Sequence, residues 1–321
     1  MEEQGITGGE CLKLRLLKDR QELKVVAAYL VVCIVWGSTY LGIRIGVSEF
    51  PPELFSGIRN LVAGSVMLLY ARIKGLEFPK SRTDIRRLAT VGVLLLCGSM
   101  GLVSWAEQWV HSGVVSLILA ASPLVMALME IILYRENILG ISGWAGLLTG
   151  FVGVGILVTS ASATGSIDAL GSMLVVMATL FWSAGSVYSR RFKAAGSIAT
   201  HIGIQMLAGG IGMTTAGLLL GEAARVRFTP KGMAAMAYLI VFGSILAYSC
   251  YIYVLRNWPA ARAATYAYIN PLVAVTLGFL ILGEPVTHYT VISMAVILGG
   301  VITVQVSLAS RRRKEALSAE S

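Results

Sequence analysis

The sequence predicts an all-α membrane protein with ten transmembrane helices, arranged as two inverted five-helix repeats. Three observations predict it. Apolar runs long enough to cross a bilayer recur along the whole chain. The lysines and arginines between them alternate between abundant and scarce. The second half of the chain also echoes the first, at an offset of 146 to 148 residues.

Composition sets the solvent. Hydrophobic residues make up 56% of the 321 residues and charged residues only 13%; mean hydropathy is +0.76. A water-soluble domain carries about a quarter charged residues, so this chain has too little polar surface to coat a soluble fold. The bilayer is its natural solvent. The net charge of +9 sits in short segments between apolar runs, which is a topology signal and not a nucleic-acid footprint. Cys33, Cys97 and Cys250 fall inside apolar runs and Cys11 near the start. No cysteine or histidine spacing suggests a metal, and no cofactor is expected. His111, His201 and His288 lie far apart.

A span takes about 20 apolar residues, because the hydrocarbon core is roughly 30 Å thick and a helix rises 1.5 Å per residue. The candidates are 25–44, 54–73, 88–109, 112–134, 138–160, 168–190, 198–220, 232–255, 260–282 and 287–308. A basic segment, 1–24, precedes the first. That first run is too long for a signal peptide and no clear cleavage site follows, so it reads as a retained helix. Spans within 25–160 form the first repeat and spans within 168–308 the second. Residues 309–321 read as a basic stop and a disordered tail. With the N-terminus inside, 21 of the 26 Lys and Arg residues fall on the inner side. The outer side holds Arg44, Arg225, Arg227 and Lys231, which predicts that both termini are cytoplasmic.

The repeat is visible residue by residue. At an offset of 146, Trp36 meets Trp182, Arg44 meets Arg190, Gly57 meets Gly203 and Gly64 meets Gly210. At 148, "SPLVM" meets "NPLVA", so Pro123 falls on Pro271 and Glu136 on Glu284. The register breaks between these blocks, around spans 3 and 8. Five spans per half is an odd number, so the second copy enters the membrane from the opposite side. That is the architecture of alternating-access transporters.

The candidate site grows from the stretch "CIVWGSTYLGIR" (33–44). Tyr29, Cys33, Trp36, Tyr40 and Arg44 share one helix face, with Thr39 beside it. A hydroxyl facing lipid is costly, whereas in a cavity it can meet water or a substrate. The rival reading is that Ser38 and Thr39 bond back to their own helix while the rings merely pack. Span 6 carries the echo, with Trp182 and Ser186. Spans 3 and 8 add Trp105, Gln108, Tyr248 and Tyr251. Spans 4 and 9 add Ser122, Met126, Tyr266 and Asn270. Pro123 and Pro271 each remove a backbone donor and are expected to act as gating kinks. The resulting wall is aromatic and neutral, and its rings could attract an amine. Gln108 and Asn270 are expected to orient the substrate. Besides Asp168, the first residue of span 6, two acids fall within spans, and a charge there usually has a purpose. Glu130 is expected to reach the inner headgroups. Glu107, near the outer face with Arg59 and Arg44, is expected either to form an ion pair at the outer mouth or to carry a coupling proton. No phosphate-binding loop, HExxH or nucleophile–base pair is present, so no enzyme is predicted.

The segments "WGSTYLGIRIGVSEFPPELFSGIRNLVAG" (36–64), "SGVVSLILAASPLVMALMEIILYRE" (112–136) and "PAARAATYAYINPLVAVTLGFLILGEPV" (259–286) resemble the drug/metabolite transporter superfamily. Within it the chain is similar to EamA-type ten-helix exporters, over residues 25–308. The first half reads "YRE" where the family usually has "LGE". The resemblance implies two inverted repeats, a cavity between spans 1, 3, 4, 6, 8 and 9, and export of amino acids, related metabolites or drug-like amines from the cytoplasm. The expected setting is an inner membrane, with the lipid bilayer, a small-molecule substrate and, where transport is coupled, protons as partners. A sugar-phosphate or nucleotide-sugar antiporter is the alternative, which Arg59 alone supports weakly.

Overall fold

The computed structural model describes residues 8–106, 115, 118–135, 139–161, 169–282 and 288–320. All the regular structure among them is helical. We label the helices α1 (Gly8–Glu49), α2 (Pro52–Ile73), α3 (Arg82–Ala106), α4 (Ser122–Tyr134), α5 (Ile141–Ala161), α6 (Ala169–Ser189), α7 (Ile198–Leu219), α8 (Pro230–Asn257), α9 (Ala260–Ala264), α10 (Tyr266–Leu282) and α11 (His288–Glu320). Seven of the described helices are long and apolar enough to cross a membrane: α2, α3, α7, α8 and the apolar parts of α1, α6 and α11.

Two expectations change. The span expected at 260–282 is broken in two at Thr265, where the backbone tightens: Thr265 N bonds Arg262 O at 3.3 Å and Tyr268 N bonds Thr265 O at 3.1 Å. Helix α11 continues to Glu320, so the tail expected to be disordered is helical over most of its length. Its Arg, Lys, Glu, Ala and Leu residues are good helix formers.

Small residues set the packing. Gly57 and Gly64 of α2 lie against α7, where a Cβ on Gly64 would come within 3.0 Å of Gly203 O and one on Gly210 within 3.1 Å of Gly57 O. These are the glycines that the repeat aligns, so the crossing has a two-fold character. The backbones of α5 and α11 meet in the same way at Gly146, Gly150 and Gly300. Without side chains in between, helices approach closely enough for dispersion to hold them in lipid.

The repeat extends into finer detail. Within α3, Val93–Gly101 winds as a π-helix, and within α8, Leu239–Ala247 does the same. The two segments are equal in length and 146 residues apart. The first offset therefore persists through the middle of spans 3 and 8, and the change to 148 falls beyond them.

Buried carboxylates close two helix starts. Glu222 accepts from Leu54 N at 2.8 Å and from Glu53 N at 3.4 Å, capping α2. Glu130 does not reach into headgroups. It is buried, 2.7 Å from Arg190 Nη1, and accepts from Ala260 N at the start of α9. In each case a carboxylate from elsewhere in the chain satisfies orphan N–H groups and meets the positive end of the helix.

Candidate functional site: a cavity between the two halves

A cavity of about 100 Å³ lies where α1, α2, α3, α6, α7, α8 and α10 converge, with Leu119 and Ser122 at its side. Its aromatic wall begins with Trp36 and Trp182, the pair related by the repeat. Their rings meet edge to face, 5.6 Å apart. Trp36 also lies 4.9 Å from the Tyr266 ring and 5.1 Å from that of Tyr251. Edge-to-face contact places ring hydrogens on π faces, which fixes ring orientation.

The π segments shape the wall. An i→i+5 turn pulls carbonyls out of the usual ladder. Gly243 O is turned to the cavity and accepts from Trp36 Nε1 at 3.2 Å. Ser244 follows it on the wall. The matching segment of α3 contributes Leu96, Ser99 and Met100.

Seven of the residues expected at a cavity line this one: Trp36, Thr39, Ser122, Trp182, Tyr248, Tyr266 and Asn270. Both readings of the Thr39 hydroxyl hold together, since it faces the cavity and also donates to Trp36 O at 2.8 Å. Ser38 donates to Val35 O and receives the Tyr238 hydroxyl, at 2.7 Å each. Tyr248 donates to Gln205 Oε1 at 3.0 Å. The Asn270 amide, with its nitrogen facing the available acceptors, bonds Cys33 O and Tyr266 O at 3.2 Å each.

Other expected residues stand elsewhere. Tyr251 and Ser186 form a second layer behind the rings, bonded to each other at 2.6 Å. Ser186 donates to Trp182 O, which leaves Tyr251 as the donor of that bond. Met126 is fully buried on α4 and Trp105 half-buried on α3, neither on the cavity wall. Gln108 and Glu107 lie outside the described residues, as do the side chains of Tyr40 and Arg44. Pro123 stands in the first turn of α4, where its missing N–H is not needed. Pro271 lies inside α10, beyond the break at Thr265.

Sequence reasoning missed part of the wall. Arg59, assigned to the outer mouth, lines the cavity, and Asn60 and Met206 join it. The repeat carried a signal for two of them: Asn60 and Met206 are 146 residues apart, like the tryptophans. Helices α2 and α7 therefore belong to the site alongside the elements the resemblance implied.

The arrangement is that of a membrane transporter: apolar spanning helices around a small central chamber with a sparse set of polar groups. The EamA-like transporter family model matches residues 23–159 and again 169–305. The chain belongs to this family, and with it to the drug/metabolite transporter superfamily. It is 34% identical to the uncharacterized inner membrane transporter YedA of Escherichia coli strain K12, over 90% of this chain and 92% of that protein. It is 26% identical to protein PecM of Dickeya dadantii, over 87% of this chain and 92% of the other. A solved structure titled only "Crystal structure of protein" superposes with a TM-score of 0.75 at 18% identity, covering 90% of this chain and 98% of that one. That last likeness concerns the fold alone.

Proposed function

We propose that the chain is an inner-membrane secondary transporter that exports small amphipathic metabolites by alternating access, with the central cavity as the substrate site. One observation carries the reading: the cavity wall is assembled from corresponding positions of both halves, Trp36 with Trp182 and Asn60 with Met206. A site shared by two copies of one fold opens to one side, then to the other, when the copies exchange conformations. Ten spans in two inverted repeats would supply that symmetry, and the distribution of lysine and arginine supports cytoplasmic termini. The paired π segments, with Pro123 and Pro271, supply candidate hinges. The name of the Escherichia coli relative supports the inner membrane.

Aromatic walls with few polar groups suit amino acids and related metabolites. Export runs on a proton gradient or as facilitated flow, with Glu107 as the proton candidate; Glu107→Gln is then expected to abolish pH-dependent transport.

The test is two-sided access to the cavity. A single cysteine at Thr39, in a chain freed of its native cysteines, is expected to react with membrane-impermeant thiol reagents from both faces of oriented vesicles. Reaction from one face alone, whatever the conditions, would refute alternating access. A growth screen of expressing cells against toxic amino acids, their analogues and cationic drugs then identifies the substrate class.

A further inference from the structure

We infer that Arg59 makes the cavity selective for a singly charged anion, a carboxylate on a short apolar body. The inference rests on reading the cavity as the substrate site and assigns the chemistry of what enters it.

The argument starts from an imbalance of donors. Arg59 lines the cavity and is only 5% exposed. A guanidinium stays protonated in essentially any protein environment. Its Nη2 faces the Met100 sulfur at 3.9 Å, a weak acceptor, and its Nε has no hydrogen-bond partner. Among the described residues no carboxylate pairs with it. The indole Nε1 of Trp182, also on the wall, has only the Tyr251 hydroxyl beside it.

The other polar groups on the wall are largely satisfied by the protein itself. Asn60 donates to Ser56 O, Thr39 to Trp36 O, Ser122 to Leu119 O and Tyr248 to Gln205. What the cavity leaves unmet is therefore the positive charge of Arg59. A buried cation without a counter-charge is costly, and a fork of guanidinium donors matches a carboxylate in shape and charge.

This excludes classes as well as naming one. A cationic amine would meet like charge at Arg59 despite the surrounding rings. A phosphate dianion would keep one charge uncompensated among the described residues. The volume of about 100 Å³, against roughly 150 Å³ for an apolar cavity that takes up benzene, favours a short branched body.

The test uses the full chain purified into lipid nanodiscs and four compounds sharing one branched body: isovalerate, isovaleramide, isopentylamine and isopentyl phosphate. Titration calorimetry is expected to show isovalerate binding at least about tenfold more tightly than the others, since a hydrogen bond to a charged group is worth that much or more. Arg59→Gln is expected to remove this preference, while Arg59→Lys retains part of it. Equal binding of the amide or the amine, no binding of any of the four, or unchanged isovalerate affinity in folded Arg59→Gln would overturn the inference. The wild-type comparison decides the matter even if that variant does not fold. If Glu107 instead holds Arg59, only Glu107→Gln would bind isovalerate, which also overturns it. Flux is read separately in vesicles. Carboxylate binding without flux defeats the transport reading and leaves the charge assignment standing. Saturable flux of isopentylamine does the reverse.

Discussion

Arg59 and Gln205 occupy corresponding places in the two halves, 146 residues apart, and they do different work. Arg59 turns a charge to the cavity and finds no carboxylate among the described residues. Gln205 is 1% exposed and accepts the hydroxyl of Tyr248, a cavity-wall residue, at 3.0 Å. The helices carrying them cross through matched glycines. The difference teaches that the backbone is repeated while the chemistry is not. One half contributes the charge. The other half holds the phenol ring in place.

The most forceful way to break the comparison is at Gly92, just before the first π segment. Its counterpart in the second half is Tyr238, so the two halves treat this position oppositely. A methyl group on Gly92 would overlap the Gln205 carbonyl and lie 2.7 Å from Gln205 Cα. Gly92→Ala must push α3 from α7 and is expected to cost about 3 kcal/mol, at the upper end of overpacking. Thermal unfolding in detergent measures it, and an unchanged melting temperature would show that the helices can separate freely here.

A milder perturbation removes the second half's arrangement. Gln205→Leu leaves the buried Tyr248 hydroxyl without its acceptor, and is expected to cost about 1 kcal/mol, as membrane-buried hydrogen bonds do. If the phenol has no positioning role, substrate affinity will be unaffected as well. Adding Tyr248→Phe should then recover most of the lost stability, because both partners of the bond are gone.

The finest test contrasts the tryptophans. Trp36 Nε1 donates to Gly243 O at 3.2 Å, whereas Trp182 Nε1 has only the Tyr251 hydroxyl beside it, in poorer geometry. Trp36→Phe is expected to lower stability by about 1 kcal/mol, and Trp182→Phe by about half that or less. Equal losses in a parallel melting experiment would contradict the distinction.

Much of the aromatic wall was legible in the sequence. Trp36 announced itself because an indole amid hydroxyls recurs at Trp182, and such a coincidence survives any error in helix ends. For Arg59, distance along a span indicates depth but not rotation; it lines the cavity, and its expected partner Glu107 lies outside the described residues. The Arg59 guanidinium lies beside Met100 of α3 on the cavity wall. Glu130 shows the same limit: its depth suggested headgroups, yet Arg190 and the start of α9 hold it inside. The π segments left no trace in hydropathy, since Val93–Gly101 and Leu239–Ala247 read as ordinary apolar stretches. The break at Thr265 is a local tightening of the backbone to i→i−3 bonds, which an apolar run does not reveal.

Those two wide-turned segments carry a consequence for how this protein can change over time. A helix of 3.6 residues per turn swings each successive side chain by about 100°. Losing one residue inside Leu239–Ala247 would let the helix tighten to the ordinary winding, and the tighter turn makes up for the rotation lost with the residue. Tyr248 would keep its side of the helix, while Gly243 O would return to the ladder and leave Trp36 Nε1 without its acceptor. Single-residue deletions in these two places thus change which backbone carbonyls face the chamber while leaving the side chains beyond them in register.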